Sequence, residues 1–538
     1  MSHPVTDTDA VAARYVDTII IGSGFAGLGA AIKLSQQGNS NFLVLERGSD
    51  VGGTWRDNTY PGAACDVPSH LYSYSFALNP DWTRSFSRQP EIQRYIEKVA
   101  REHRVYDRHV FDCHVESARW NEATAQWDLE TTQGAFTASK LVSAVGALSE
   151  PNLPDIPGIR DFRGDIFHSA QWDHETSLRG KRVAVIGTGA SAIQIVPAIA
   201  PEVAHLDVYQ RTAPWVLPRL DREYTALERA AFKYVPGFQR LSRTGIYAAR
   251  ETQVVGLAKA PALMKVFEFI ARRQIARGIS DPELRRKVMP NFRIGCKRML
   301  ISNNYYPALS RPNVDLVTDG IAEVREHSIV TKDGTEREID ALVVATGFHV
   351  TDSPTFQGIF GRDGRSLAEV FDERGQQGYK GAAVAGFPNL FFLVGPNTGL
   401  GHTSMVFMIE SQLNYVIDAL NTMERHDLGV VEVRRDVQDR YNNELQQKLG
   451  KSVWLTGGCA SWYLDKHGNN TTLWPDFTFE FRRITKEFDL EAYDAVAAAD
   501  LTSAEAEPTP TADGTPAPDT TRNADTADTD LTSKATAR

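Results

Sequence analysis

Two segments of this chain follow the same plan, and that repeat constrains the fold more than any other feature. Each has an apolar strand, a glycine-rich turn and a helix of small residues. The first reads YVDTIIIGSGFAGLGAAIKLSQQG, and KRVAVIGTGASAIQIVPAIA follows about 165 residues later. A strand, a glycine turn and a helix in this order open a dinucleotide-binding fold. The repeat therefore predicts an α/β protein with two Rossmann-like dinucleotide-binding domains.

The first turn has the full G-x-G-x-x-G pattern directly after its strand. Such glycines permit a tight turn, a close backbone approach to a pyrophosphate and close helix packing. The next strand, NFLVLE, ends at Glu46, whose carboxylate can accept hydrogen bonds from a ribose diol. We expect this site to bind a nucleotide with a free ribose, as FAD has. The predicted contacts of the turn are Gly22, Gly24, Phe25, Ala26 and Gly27.

The second turn differs from the first in the residue that follows its second strand. Arg211 stands 24 residues after the first glycine of the turn, where the first unit has its glutamate. A planar guanidinium can bind a 2′-phosphate bidentately, whereas a carboxylate would repel it. The second site is therefore predicted to take NADP, with Thr212 as a further donor. The predicted contacts of this turn and its helix are Gly187, Thr188, Gly189, Ala190, Ser191, Ala192 and Gln194.

A chain of 538 residues is too long for one hydrophobic core. We expect an FAD-binding domain from residues 15–150 and 386–495, and an NADP-binding domain from 151–220 and 288–385. A stretch rich in Ala, Arg, Leu and Glu, 221–287, predicts a helical insertion in the NADP domain. The N-terminal residues 1–14 and the tail 500–538, rich in Ala, Thr, Pro and Asp, are expected to be disordered because they offer little apolar surface to bury.

Charge and composition exclude several classes of partner. The net charge of -10 argues against nucleic acid. No apolar run is suited to span a membrane and the N-terminus has no apolar signal segment, so we expect a cytoplasmic protein. The scattered cysteines form no C-x-x-C, and we expect neither a disulfide framework nor a metal site. Whether the protein is a monomer or a small homo-oligomer stays open.

FAD and NADP sites together occur in more than one class of flavoenzyme. A pyridine-nucleotide disulfide reductase would need two neighbouring cysteines to carry electrons away from the flavin. The stretch after the first unit supplies only Cys65. Dioxygen is then the expected electron acceptor, which favours an oxygenase.

Two longer motifs are similar to those of a known family. The segment GGTWRDNTYPGAACD, 52–66, resembles the [A/G]-G-x-W-x-x-x-x-[F/Y]-P-G-x-x-x-D segment of type I Baeyer-Villiger monooxygenases. FRGDIFHSAQWD matches that family's fingerprint F-x-G-x-x-x-H-x-x-x-W-[P/D] through Phe162, Gly164, His168, Trp172 and Asp173. This second motif lies between the two units and is expected to be a connector that governs how the domains approach each other.

The resemblance implies that NADPH, FAD and dioxygen convert a ketone to an ester or lactone through a flavin peroxide. Within FRIGCKRMLISNNYY, Arg298 matches the family's essential arginine, and Asp66 matches the acid that holds this arginine in position. Lys297 matches a residue that reaches the NADP 2′-phosphate. Trp462 is similar to a tryptophan that closes over bound NADP.

The region after Trp462, with Gly468 and Trp474-Pro475, looks more like family members acting on linear aliphatic or aryl ketones than like the cyclohexanone enzymes. Further FAD contacts are expected from Thr54, Trp55, Asp57, Tyr72 and Val115. The alternatives are a flavin-containing monooxygenase that oxidises nitrogen or sulfur, a class that usually carries Tyr or Phe in place of Trp172, and the disulfide reductase.

Overall fold

The computed structural model describes residues 13–504. The two segments expected to be disordered were 1–14 and 500–538, and most of each, 1–12 and 505–538, lies outside the described residues. Their inner ends differ from the expectation, because Arg14 begins a strand and a helix covers residues 498–504. Among the described residues, no helix combines the length and apolar character needed to cross a membrane.

The strands are β1 (Arg14–Ile21), β2 (Phe42–Leu45), β3 (His109–Val110), β4 (Val115–Asn121), β5 (Gln126–Thr131), β6 (Gly134–Ser143), β7 (Asp165–His168), β8 (Arg182–Ile186), β9 (His205–Tyr209), β10 (Val216–Leu217), β11 (Leu300–Ile301), β12 (Val314–Val317), β13 (Ile321–Val324), β14 (Ser328–Thr331), β15 (Glu336–Glu338), β16 (Ala341–Val344), β17 (Ile359–Phe360), β18 (Leu390–Phe392), β19 (Leu428–Val433) and β20 (Tyr493–Ala497).

The α-helices are α1 (Phe25–Gln36), α2 (Thr54–Asp57), α3 (Gln89–Glu102), α4 (Ala192–Ile199), α5 (Ala226–Tyr234), α6 (Phe238–Glu251), α7 (Met264–Gly278), α8 (Pro282–Lys287), α9 (Tyr305–Leu309), α10 (Leu367–Arg374), α11 (Met405–Arg425), α12 (Arg435–Leu449), α13 (Val453–Thr456), α14 (Thr478–Ile484) and α15 (Ala498–Ala504).

The first dinucleotide unit builds the larger sheet, in the order β17-β4-β5-β6-β1-β2-β3 with β18 beside β6. β1 is parallel to both β2 and β6, so the carboxyl ends of these strands meet at one edge. The apolar run in β1 is explained by burial on both faces. Ile20 packs in the core formed with α1 and α11, while Ile19 and Ile21 pack on the other face in the core around Trp127.

The second unit builds a five-stranded parallel sheet in the order β12-β9-β8-β16-β7. β9, β8 and β16 are the inner strands, and β8 and β16 carry continuous buried aliphatic residues. β7 is an edge strand of this sheet and contains the centre of the FRGDIFHSAQWD motif. That motif is therefore part of the second domain's own sheet, where the sequence suggested a connector between domains.

Helices α5 to α8 occupy the segment 221–287 that the sequence marked as a helical insertion. α5 begins at a capping box formed by Thr225 and Glu228. β10 precedes the insertion and β11 follows it, and the two strands pair in parallel, which brings the two ends of the insertion together. An aromatic cluster then joins the insertion to the C-terminal part of the chain, through Trp215, Phe292, Trp454, Trp474 and Phe481.

The chain returns to the first sheet earlier than the residue 386 suggested by the sequence. β17 pairs with β4 at residues 359–360, and β18 later pairs with β6. β17 has only two residues, which is too short to show a strand pattern in the sequence.

We expect Gly27→Ala to lower both the FAD content and the melting temperature. A Cβ at Gly27 would lie 1.8 Å from the carbonyl oxygen of Gly22, so α1 would be pushed off the turn. Flavin absorbance and thermal unfolding measure the two effects.

Gly245→Ala in α6 is the matched control, because nothing lies within 4 Å of its added Cβ. It should raise stability by about 0.5–1 kcal/mol. A Gly27→Ala protein with normal flavin content and melting temperature would contradict the packing argument.

Candidate active site

The first glycine turn leaves its backbone open to a ligand. Gly22 has a φ of +98°, which L side chains rarely adopt. Gly24 is the N-cap of α1 and offers no side chain to satisfy the free amides of the helix. Gly53 approaches closely from the next loop, where a Cβ would lie 3.0 Å from the Cα of Gly24. Free amides at a helix N-terminus favour a pyrophosphate at this place.

Glu46 follows β2 directly and is buried. Its Oε2 accepts a hydrogen bond from the Ser23 amide at 2.7 Å. Its Oε1 accepts from the Gly48 amide at 2.8 Å and from Arg56 Nη1 at 2.7 Å. A carboxylate offers about four acceptor positions, so room is left for a ribose hydroxyl. Glu46 thus braces the turn in addition to the contact predicted for it.

A cavity of about 430 Å³ opens at the carboxyl ends of β1, β2 and β6. Trp55 and Tyr72 form part of its wall, joined by a hydrogen bond from the indole Nε1–H to the hydroxyl at 2.9 Å. Phe25 packs on Tyr72 with ring centroids 5.2 Å apart, and the wall suits a flat aromatic ligand. The predicted FAD contacts that line the cavity are Gly22, Gly24, Phe25, Ala26, Glu46, Thr54, Trp55, Asp57, Tyr72 and Val115, while Gly27 packs behind the turn.

The loop 144–150, AVGALSE, also lines this cavity, and the sequence reasoning missed it. It follows β6, whose parallel pairing with β1 brings it beside the glycine turn. A Cβ on Gly22 would lie 2.8 Å from the carbonyl oxygen of Ala144. Only the strand pairing identifies this loop, because its composition is unremarkable.

Arg298 lies at the wall of the same cavity and is held by Asp66. Its Nε and Nη2 donate to Oδ2 of Asp66 at 2.9 and 2.6 Å, and its Nη1 donates to the Leu400 carbonyl at 3.3 Å. Burial alone would raise the pKa of Asp66, but the charge and hydrogen bonds of Arg298 outweigh it and lower that pKa. The Asp66 charge in turn raises the pKa of Arg298. Both groups are therefore charged at every working pH.

The backbone fixes both partners of this pair. On one side, the amide of Cys65 donates to Ser87 O at 3.0 Å and Arg219 donates to Cys65 O at 3.0 Å. On the other side, Arg298 precedes β11, whose Leu300 amide donates to the Trp215 carbonyl at 3.0 Å. The pair therefore joins the first domain to the base of the helical insertion.

Arg250, near the end of α6, is a functional candidate that the sequence reasoning did not find. It lines a smaller cavity, about 60 Å³, together with Asp66 and Arg298. Its charge helps to lower the pKa of Asp66. The sequence around Arg250 resembles that of any surface helix, so it does not indicate a functional role. Only the fold brings the insertion against Asp66.

The second glycine turn has the geometry of the first. Gly187 has a φ of +116°, and a Cβ there would lie 2.4 Å from the Ala345 carbonyl oxygen. Gly189 and Ala190 are exposed ahead of α4, which begins at Ala192, and Ser191 is its N-cap. Thr188 is buried, and its hydroxyl donates to the carbonyl oxygen of Thr212 at 3.0 Å, which ties the turn to the loop after β9.

Two cations converge beside the second turn. Arg211 is exposed after β9, and Lys297 reaches the same region from the segment before β11. Partial burial and the charge of Arg211 lower the pKa of Lys297. Neither side chain forms an ion pair with another part of the described chain, so both are free for an anion. This arrangement supports the predicted contacts with the 2′-phosphate of NADP.

Gln194 has another partner than the predicted cofactor. Its Oε1 accepts from the Tyr60 hydroxyl at 3.1 Å and from the Ala64 amide at 3.2 Å, while its Nε2 donates to the Ala64 carbonyl at 3.0 Å. The amide therefore bridges the two dinucleotide domains. Its predicted contact with NADP stays a prediction.

The fingerprint residues have structural partners within the second domain. Phe162 is buried, and a Cβ on Gly164 would lie 2.4 Å from the Asp340 carbonyl. His168 Nδ1 accepts from the Ala170 amide at 3.1 Å, and Trp172 packs on Phe167. Asp173 accepts from the Thr176 hydroxyl at 2.6 Å and from the Glu175 amide at 2.9 Å. These contacts stabilise an edge strand and its turn.

The expectation of no disulfide was wrong. Cys296 and Cys459 are bonded to each other, although 163 residues separate them. Sequence spacing could not reveal the pair, because only the fold brings the two segments together. Trp462, three residues after Cys459, is 46% exposed and lines the FAD cavity. Its role in closing over bound NADP stays a prediction.

One group of side chains in the described part of the chain has the spacing of a metal site. His205, Asp207 and Asp315 place their ligand atoms within 4.8 Å of one another. Arg337 Nη1 donates to both carboxylates, at 2.9 and 3.0 Å, and so occupies the position of a cation.

Comparisons with known proteins agree with this site. A family model described as pyridine nucleotide-disulphide oxidoreductase matches residues 19–226. A Baeyer-Villiger monooxygenase of Pseudomonas aeruginosa is 52% identical over 490 residues, which cover 91% of this chain and 93% of that protein. One from Streptomyces coelicolor is 50% identical over 483 residues, with 89% and 92% covered.

Solved structures show the same architecture. A cyclohexanone monooxygenase from Rhodococcus sp. Phi1 bound to NADP+ superposes with a TM-score of 0.81 at 28% identity, covering 90% of this chain and 100% of that one. The complex of OTEMO with FAD and NADP gives 0.80 at 25% identity, with 89% and 99% covered.

The fold and the two nucleotide sites define a flavoprotein that uses FAD and NADP. Within that class, the chain belongs to the type I Baeyer-Villiger monooxygenases. It is an FAD-dependent enzyme that uses NADPH to oxidise ketones, and the predictions of fold class, cofactors and enzyme class are confirmed. The disulfide-reductase alternative is not favoured, because neither bonded cysteine lines the FAD cavity.

Asp66→Asn should keep FAD bound but lower ester formation about 10- to 100-fold, the effect of losing one charged hydrogen-bonded partner. Because the pKa of Asp66 is lowered, the native pair is intact above the ordinary carboxylate pKa and is lost only as pH falls through the lowered one. The variant should therefore show its defect across neutral pH. Flavin content measures FAD binding, and kcat measures ester formation. An unchanged kcat at pH 7 would contradict the positioning role of Asp66.

Arg211→Ala should raise the KM for NADPH about 10- to 100-fold, because it removes a charged contact to the 2′-phosphate. NADH, which lacks this phosphate, is the internal control and should change little. Equal effects on the two coenzymes would refute the assignment.

For Lys297, whose pKa is lowered, kcat/KM for NADPH should start to fall at a pH below its ordinary value of 10.5. Lys297→Arg should remove that fall. An unchanged alkaline profile in the variant would show that Lys297 does not contact the phosphate.

Proposed function

We propose that this enzyme inserts one oxygen atom of dioxygen beside the carbonyl of a linear aliphatic or aryl ketone. The balanced reaction takes ketone, dioxygen, NADPH and a proton to ester or lactone, water and NADP+. When bound, FAD supplies the oxygen-activating chemistry and NADPH supplies the hydride. The observation that carries the proposal is the Arg298 guanidinium, fixed at the cavity wall by Asp66.

Arg298 has the properties that the oxygen-transfer step requires. Negative charge develops on oxygen as a ketone is attacked, and a fixed cation in a cavity that excludes water stabilises it far more than water does. A guanidinium keeps its proton at any working pH. The contacts to Asp66 and the Leu400 carbonyl use three of its five N–H groups, so two are left for a ligand.

The remaining contacts divide between the two cofactors. Glu46 and the first turn are suited to the FAD ribose and pyrophosphate, while Arg211 and Lys297 are suited to the NADP phosphate. Trp462 is exposed and lines the cavity, which supports its proposed role in covering bound NADP. The substrate preference rests on the resemblance near Trp474, and a location in the cytoplasm stays a prediction from the sequence.

The proposal is tested by following NADPH consumption, oxygen uptake and products with linear, cyclic and aryl ketones and with a thioether. The expected result is ester formation from linear or aryl ketones, with one molecule of dioxygen and one of NADPH consumed per ester. Exclusive sulfoxidation of the thioether would favour the N- or S-oxidising alternative instead.

Arg298→Ala should lower ester formation by about 10²- to 10³-fold, the usual cost of removing one electrostatic stabiliser of a developing oxyanion. FAD content should stay normal, since the first turn is untouched. Arg298→Lys keeps the charge without the paired hydrogen bonds and should recover only part of the activity. Normal ester formation in Arg298→Ala would refute the assignment.

A further inference from the structure

The Cys296–Cys459 disulfide joins two segments that both reach the active site. Cys296 directly precedes Lys297 and Arg298. Cys459 precedes Trp462 by three residues, and both Arg298 and Trp462 line the FAD cavity while the two sulfurs lie outside it. The bond therefore connects the backbone of the cationic segment to the backbone of the covering tryptophan.

The segment around Cys296 is rigid without the disulfide. Cys296 is fully buried in the aromatic cluster with Val453 and Trp454. The Arg293 amide donates to the Gly457 carbonyl at 3.0 Å, and a Cβ on Gly457 would lie 2.5 Å from that of Cys296. Packing and hydrogen bonds thus fix the chain as far as Gly457.

After Gly457, fewer contacts hold the chain. Gly458 has a φ of +76° and turns the chain outward, and Ala460 and Trp462 are exposed. Within the described structure, no backbone amide from Cys459 to Trp462 donates a hydrogen bond. Trp462 packs on the buried Tyr463 at the far end, with ring centroids 4.4 Å apart. The disulfide is therefore the main anchor at the near end of this short segment.

We propose that Cys296 and Cys459 form a dithiol–disulfide redox site, which holds Trp462 over the nicotinamide when oxidised and releases it when reduced by a small or protein-borne dithiol. This inference rests on the roles proposed above for Arg298 and Trp462. It makes the two cysteines positioning residues, because neither touches the cavity.

The burial of the two cysteine residues sets the order of the exchange. Cys459 is half-buried and Cys296 is fully buried, so we expect an external thiolate to attack Cys459 Sγ first. A mixed disulfide forms there, the protein S–S bond breaks, and Cys296 leaves with the electron pair and takes up a proton. The second thiol of the reductant attacks its own sulfur in the mixed disulfide and frees Cys459. Two electrons and two protons pass to the protein, and the reductant becomes a cyclic disulfide.

The other two cysteines do not compete in this exchange. Cys65 and Cys113 are buried and free. Burial, with a contribution from the Asp66 charge, raises the pKa of the Cys65 thiol, and burial raises that of Cys113. Thiolates are the reactive form, so both should react slowly.

The experiment compares the FAD-loaded full chain before and after treatment with dithiothreitol, a small dithiol, which is then removed. Alkylation and peptide mass analysis should show Cys296 and Cys459 linked before treatment and alkylated after it. Reduction should raise the KM for NADPH several-fold, because Trp462 no longer covers the site. It should also increase the share of NADPH oxidation that produces hydrogen peroxide in place of ester. Reoxidation should restore both values, and flavin content should not change.

Cys459→Ser is the decisive variant, because its half-buried side chain can be replaced without disturbing the core. Its KM for NADPH and its peroxide yield should equal those of the reduced enzyme and should not change on treatment with the dithiol. A folded Cys296→Ser protein should show the same values. Trp462→Ala should raise the KM for NADPH and then show no further change on reduction, since the two changes act through one contact.

Three outcomes would overturn the proposal: cysteines that are unlinked before treatment, a reduced enzyme with unchanged KM and peroxide yield, or a Cys459→Ser protein that still responds to the dithiol. A failure of the proposed function is seen separately. In that case the oxidised wild-type enzyme makes no ester, while the thiol analysis and the KM for NADPH still report on the redox site.

Discussion

The ion pair between Asp66 and Arg298 is the contact on which the rest of the site depends. Its partners are 232 positions apart in the chain and belong to different parts of the fold. A partly exposed ion pair contributes only about 0–1 kcal/mol to stability, so its importance lies in direction. Strand pairing fixes β11 after Arg298, and backbone hydrogen bonds fix the residues around Asp66, so the guanidinium has one orientation at the cavity wall.

The segment that carries Arg298 also reaches both candidate nucleotide sites. Arg298 turns to Asp66 and the FAD cavity, whereas Lys297 turns to Arg211 and the second glycine turn. One short stretch is therefore suited to contact both nucleotides, as proposed above. The aromatic cluster with Trp215 and Phe292 holds this stretch, and the disulfide at Cys296 joins it to the segment of Trp462.

Some side chains have two uses, which limits what a motif can reveal. Glu46 occupies the position expected for a ribose contact, yet three of its acceptor positions are filled by the protein. Gln194 looks like a cofactor contact in the second turn, yet its amide bridges the domains. Arg250 was not found at all, because its place beside Asp66 follows from how the insertion docks. The early return of the chain at β17 was equally invisible, since a strand of two residues has no pattern.

The sequence by itself determined the local chemistry: two glycine turns, an acidic and a basic residue at matching spacings, and the two motifs that identify the family. These signals are readable because each depends on residues close together in the chain. Tertiary structure alone decided which distant residues meet. It brought Asp66 to Arg298, Cys296 to Cys459, and the loop 144–150 to Gly22. Such contacts arise from strand order and domain docking, and those depend on burying apolar surface across the whole chain.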